Sequence, residues 1–163
     1  MKESVKVAFN YTKSCLETNT SDFAQELKIL KKSKINVHAP EGAVPKDGPS
    51  AGIALTTAII SVLSKQKIPT DIGMTGEITL SGQVLPIGGL RNKSIAAQKA
   101  GLKTIFIPRK NKNDIEDIPS EVRKDLKIIL VSKYSEILEN LFSLKPNFAS
   151  LKKDYTEKVG TTI

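Results

Sequence analysis

The run Pro45-Lys46-Asp47-Gly48-Pro49-Ser50-Ala51-Gly52 delivers a serine, through a stiff Gly-Pro pair, to the mouth of an apolar helix. A hydroxyl in that place admits two readings. It can cap the helix, among the commonest uses of serine. It can also attack an electrophilic carbonyl, with backbone N–H groups of the loop and first helical turn aimed at the developing oxyanion.

A nucleophilic serine needs a base. His38 is the single histidine and sits in the alternating stretch Ile35-Asn36-Val37-His38-Ala39. It can serve as a general base or pack at a sheet edge. The other choice is a lysine. An ordinary lysine keeps its proton at neutral pH, and burial or the positive end of a helix dipole is needed to free the amine. Lys93 has the most apolar setting of any lysine in the chain, after Pro86-Ile87-Gly88-Gly89-Leu90 and ahead of Ile95-Ala96-Ala97. Its bland alternative is a solvated first-turn lysine.

Composition narrows the other classes. The 163 residues, 39% hydrophobic and 26% charged, suffice for one domain with a real core. One cysteine, Cys15, excludes an intrachain disulfide, and with one histidine it cannot build a His/Cys metal site. Cys15 falls near a helical apolar stripe and reads as a small core residue, a reactive thiol being the alternative. The run from Ile53 to Leu63 is too short to span a bilayer, and Met1-Lys2-Glu3-Ser4 lacks a signal-peptide layout. A soluble, cytoplasmic setting is the expectation. The net charge of +8 leaves a nucleic-acid partner open, but arginines number only three (Arg91, Arg109, Arg123). Aromatics at 5% offer no stacking platform for single strands.

The elements that must position Ser50 and Lys93 follow from periodicity. A helix is expected over residues 4–16 with Ser4 as N-cap, and a shorter one begins at Ser21-Asp22. Ile35–Ala39 reads as a strand ending at Pro40. A buried helix runs from Ala51 to about Lys65. Asp71–Thr79 and Gln83–Ile87 read as a hairpin turning at Ser81-Gly82. Arg91–Ala100 is a helix stopped by Gly101. Lys103–Pro108 and Lys127–Val131 are strands flanking weak helical segments, and Tyr134–Leu144 is a last amphipathic helix. After Pro146 periodicity is lost, so 1–145 is read as the domain and 146–163 as a tail. Strands alternating with helices predict an α/β (α+β) fold whose sheet, given the hairpin, is mixed.

Two long segments carry a resemblance. Pro40-Glu41-Gly42-Ala43-Val44-Pro45-Lys46-Asp47-Gly48-Pro49-Ser50-Ala51-Gly52 resembles the catalytic-serine motif of the bacterial A-type Lon proteases. Met74-Thr75-Gly76-Glu77-Ile78-Thr79-Leu80-Ser81-Gly82-Gln83-Val84-Leu85-Pro86-Ile87-Gly88-Gly89-Leu90-Arg91-Asn92-Lys93 resembles the family's catalytic-lysine segment. The 43-residue interval from Ser50 to Lys93 agrees with the family pattern. The resemblance runs from about residue 1 to 144. It implies the family's compact mixed-sheet domain with flanking helices and a serine endopeptidase with a Ser50–Lys93 dyad, the lysine neutral and buried. It implies that the Thr75 hydroxyl holds Lys93, and that Asp47 can approach Lys93 in an off state. Gly48 and Ala51 flank the nucleophile, and Glu77 and His38 fall at supporting positions near the site.

The same resemblance implies a homo-hexameric ring that degrades unfolded or damaged proteins. ATP and Mg would serve an ATPase module outside this chain. No Gly-x-x-x-x-Gly-Lys-Ser/Thr run occurs here, so no cofactor is expected in the chain itself. The family's upstream strands have no counterpart, and Ser81 stands where the family often has a basic residue. The chain thus reads as a catalytic fragment. The rival is a Lon-like domain that has lost catalysis and binds nucleic acid or protein.

Overall fold

The computed structural model describes residues 2–18, 20–38 and 48–142. In chain order they form α1 (Lys2–Thr18), α2 (Thr20–Lys32), a 3-10 turn (Pro49–Ala51) and α3 (Gly52–Ser64). The strands β1 (Ile72–Met74), β2 (Glu77–Ile78) and β3 (Val84–Leu85) follow, then α4 (Leu90–Lys99) and β4 (Thr104–Pro108). After two further 3-10 turns come α5 (Ser120–Asp125), β5 (Lys127–Val131) and α6 (Tyr134–Leu141).

The α/β reading holds. Three strands pair in the order β1-β4-β5, all parallel, with Ile72 opposite Thr104 and Phe106 opposite Ile129. The hairpin strands form a separate antiparallel ladder, Glu77 opposite Leu85 and Ile78 opposite Val84. Parallel and antiparallel pairing are therefore both present, divided between two small sheets.

β4 is the central strand, and its alternation sorts the core. Ile105 and Ile107 face a cluster with Leu90 and Ala97 of α4 and Val122 of α5. Phe106 faces the opposite way, among Ile53 and Ile60 of α3, Tyr134, Ile137 and Leu138 of α6, and Tyr11 and Cys15 of α1. A third cluster joins α1, α2 and the outer face of α3 through Leu16, Phe23, Leu27, Leu30, Ile59 and Leu63. Each such fully buried side chain contributes about 1.5–3 kcal/mol.

Several local expectations are corrected. α1 begins at Lys2, so Ser4 lies inside the helix and is not its cap. α2 includes Ser21 and Asp22, and its break comes at Phe23 (φ −129°, ψ 25°). The expected strand over Ile35–Ala39 is not formed at 35–38, and Ala39 lies outside the described residues. Ile35 packs on the α1–α2–α3 cluster while Val37 is exposed, so the alternation covers helices without a strand partner. The expected strand Asp71–Thr79 is cut in two at Thr75-Gly76. There the Gly76 N–H donates to the Ser50 carbonyl (2.8 Å), and the Gly76 carbonyl accepts from Ile53 N–H (3.1 Å). Backbone groups engaged by the serine turn are lost to the ladder. α3 is not buried all round: Val62 is 77% exposed. The tail 146–163 lies outside the described residues.

Cys15 is a core residue. Burial pushes its thiol from an ordinary value near 9 up to about 11, against a smaller opposing effect of its hydrogen bond with Tyr11. Burial also raises the Tyr11 hydroxyl, whose ring meets Tyr134 edge-on at 5.5 Å. The folded chain thus keeps a proton that the unfolded chain releases above pH 9. The stabilisation is full below pH 9 and is lost as pH rises through 11, to a depth of about 2–3 kcal/mol from Cys15. Urea midpoints are expected to fall across that window, and Cys15→Ala to flatten part of the fall. Parallel curves for both proteins would contradict this assignment.

Candidate active site

Ser50 occupies the 3-10 turn Pro49–Ala51 at the head of α3. Gly48 heads the turn at φ 128°, a conformation open to glycine, and Pro49 supplies the fixed φ of the first turn position. The residue in the N-cap position of α3 is Ala51, with no side-chain capping bond. The capping reading of Ser50 therefore fails, and its hydroxyl is available for another partner. That partner is Lys93, whose Nζ donates to Ser50 Oγ at 2.9 Å.

The two residues arrive from separate elements. Ser50 is held by its own carbonyl, which accepts from Gly76 N–H (2.8 Å) and from the Thr75 hydroxyl (3.3 Å). Thr75 is buried just beyond the C-terminal end of β1, and its N–H donates to the Phe106 carbonyl of β4 (3.0 Å). The site therefore sits at the carboxyl end of the parallel sheet, the usual place for ligand sites in such sheets. Lys93 lies in the first turn and a half of α4, its N–H donating to the Gly89 carbonyl (3.1 Å). Gly89, at φ 69°, starts that helix in the left-handed region.

Two expectations about these residues change. Lys93 is half-buried, its ammonium end reaching Ser50 while the rest of α4's outer face meets solvent. The Thr75 hydroxyl engages the Ser50 carbonyl and not Lys93, so it fixes the serine turn. Sequence reasoning also passed over Asn111. Its amide is buried and bonds both ways to Ile87, accepting from the N–H at 3.0 Å and donating to the carbonyl at 2.8 Å. That pair fixes the segment launching α4 and so places Lys93. Within Arg109-Lys110-Asn111-Lys112-Asn113 nothing marks it off from a surface residue.

The remaining candidates are spread out. Glu77 is half-buried and lines a cleft of about 240 Å3 beside the serine turn. The cleft is walled by Glu3, Ser4 and Val7 of α1, by Pro49, and by Glu77 and Ile78 of β2. His38 is exposed and makes no hydrogen bond or ion pair among the described residues. Asp47 lies outside the described residues. Among the described residues no group of His, Cys, Asp and Glu could hold a metal ion, and no helix is long and apolar enough to cross a membrane.

Known proteins match this chain in sequence. The family model for the Lon protease (S16) C-terminal proteolytic domain covers residues 1–144. The chain is 57% identical over 142 residues to a Lon protease of Mycoplasma mycoides, covering 87% of this chain and 17% of that protein. It is 50% identical over 140 residues to Lon protease 1 of Bacillus subtilis, covering 86% of this chain and 18% of that protein. A Lon protease of Dictyoglomus thermophilum is 48% identical over 160 residues, covering 98% of this chain and 19% of that protein. The chain thus spans less than a fifth of the length of these curated relatives. It belongs to the Lon protease family, as its C-terminal proteolytic domain.

Proposed function

We propose that the chain is the peptidase part of an ATP-dependent Lon-type serine endopeptidase, with Ser50 as nucleophile and Lys93 as general base. The 2.9 Å contact between Lys93 Nζ and Ser50 Oγ carries the reading, because it is the separation that proton transfer between them requires. With the amine neutral the same contact runs in the other sense, the serine O–H donating to Nζ. Ser50 Oγ attacks the scissile carbonyl as its proton passes to Lys93. The Ser50 amide, second in a turn whose first residue is a proline, has no acceptor inside that turn and is a donor for the oxyanion. Lys93 then gives its proton to the leaving amine, and an acyl ester remains on Ser50. Water, deprotonated by Lys93, hydrolyses the ester and restores both groups.

The wider setting in this proposal is a homo-hexameric ring in the cytoplasm, fed unfolded or damaged proteins by an ATPase module using Mg-ATP, and the relatives' shared name, Lon protease, supports its protease part. In that setting these residues do the peptide chemistry and need no cofactor of their own.

The test is hydrolysis of a short unstructured fluorogenic peptide, with covalent labelling by a fluorophosphonate as a second readout. Ser50→Ala is expected to lower hydrolysis by at least about 10^3-fold and to abolish labelling. Equal turnover by both proteins would replace this reading with that of a silent binding module.

A further inference from the structure

Four threonine hydroxyls inside helices of this chain follow one habit. Thr12, Thr18, Thr56 and Thr57 each donate to the carbonyl four residues back, on Ala8, Ser14, Gly52 and Ile53. This is the ordinary local satisfaction of a helical hydroxyl. Ser4 of α1 is 6% exposed, and its hydroxyl donates across 44 residues to the Gly48 carbonyl at 3.4 Å.

That carbonyl holds a particular position. Gly48 heads the 3-10 turn that contains Ser50, so by the i→i+3 pattern its oxygen also accepts the turn's first amide bond. A carbonyl oxygen has two lone pairs, and the Ser4 hydroxyl takes the second. The orientation of this peptide plane matters because Pro49 follows directly. The proline ring fixes φ, so between the Gly48 carbonyl and the Ser50 amide only the Pro49 ψ is free to rotate. Gly48 has no side chain of its own to hold it, and an added Cβ there would meet nothing within 4 Å.

We infer that Ser4 is a positioning residue for the nucleophile: its hydroxyl pins the Gly48 carbonyl and thereby orients the turn presenting Ser50 to Lys93. The turn is then tied at both ends, upstream by Ser4 and downstream by Gly76 N–H and the Thr75 hydroxyl on the Ser50 carbonyl. This rests on the reading of Ser50 as nucleophile, and it brings α1 into the catalytic apparatus.

The test compares wild type with Ser4→Ala and Ser4→Thr by two readouts. Peptide hydrolysis is expected to show kcat lowered about 3- to 10-fold in Ser4→Ala with KM unchanged, the size of one lost hydrogen bond, and recovery in Ser4→Thr. Hydrogen exchange at the Gly76 amide, which reports closure of the turn on Ser50, is expected to accelerate by a similar factor in Ser4→Ala. Amides of the β4–β5 ladder should stay unchanged, which excludes general unfolding. Unchanged Gly76 exchange, or a KM effect alone, would overturn the inference. A wild-type chain that hydrolyses no peptide would overturn the nucleophile reading itself, and Gly76 exchange would still decide whether Ser4 holds the turn.

Discussion

Arginine at position 93 is expected to stop peptide hydrolysis while leaving the fold in place. Guanidinium keeps the positive charge, the long aliphatic stem and the capacity to donate to Ser50 Oγ. It cannot lose a proton in the accessible pH range, so it cannot accept the serine's proton. General-base participation is worth about 10^2- to 10^4-fold, and Lys93→Arg should lose that factor in kcat. Thermal midpoints should differ little, because Lys93 is half-buried and its core-facing neighbours on α4 are Leu90, Ser94 and Ala97. Retention of activity to within tenfold would show that Lys93 merely orients the hydroxyl and that another group takes the proton. The arginine variant discriminates better than alanine, which would remove stem and charge together.

The second large effect lies at Gly52. Its φ of −54° suits any residue, so conformation is not what requires glycine here. Space is. A Cβ on Gly52 would stand 2.8 Å from the Ile78 backbone nitrogen and 3.0 Å from Ile78 Cγ2. The first is main chain and cannot swing away. Gly52→Ala must push the head of α3 off β2, at about 1–3 kcal/mol of overpacking strain. Ser50 is two residues away on the same backbone and moves with it. A displacement near 1 Å at a reacting atom costs on the order of 10^2-fold in rate. Gly52→Ala should therefore lose both stability in urea and turnover on a short peptide. Gly88→Ala is the control, since nothing lies within 4 Å of that position. Equal behaviour of the two alanine variants would refute the close-packing account.

Much of the site was legible in the chain because its chemistry is concentrated in two continuous runs. Gly48-Pro49-Ser50 announces a rigid turn, and Gly88-Gly89 announces the start of the helix that carries Lys93. What could not be read locally depends on partners distant in sequence. Ser4 is of a type favoured at N-caps and precedes an apolar helical stripe, yet its acceptor is 44 residues away. The apolar run before Thr79 reads as one strand, and the cut at Thr75-Gly76 exists because the serine turn takes those backbone groups. Asn111 is polar in a polar run, and only the fold shows it holding both backbone groups of Ile87. The alternation at Ile35–His38 is genuine, but a strand needs a neighbour as well as a pattern.

The two halves of the reactive pair belong to different cores. Ser50 sits in the turn that heads α3, a helix packed in the cluster with α6 and α1, while Lys93 lies on α4, packed on the reverse side of β4. Their separation is therefore a gauge of how two independently packed bodies lean against one strand between them. Any partner or stress that rocks one body on that strand uncouples alcohol from amine without melting a single helix, and so silences the chemistry long before it unmakes the protein.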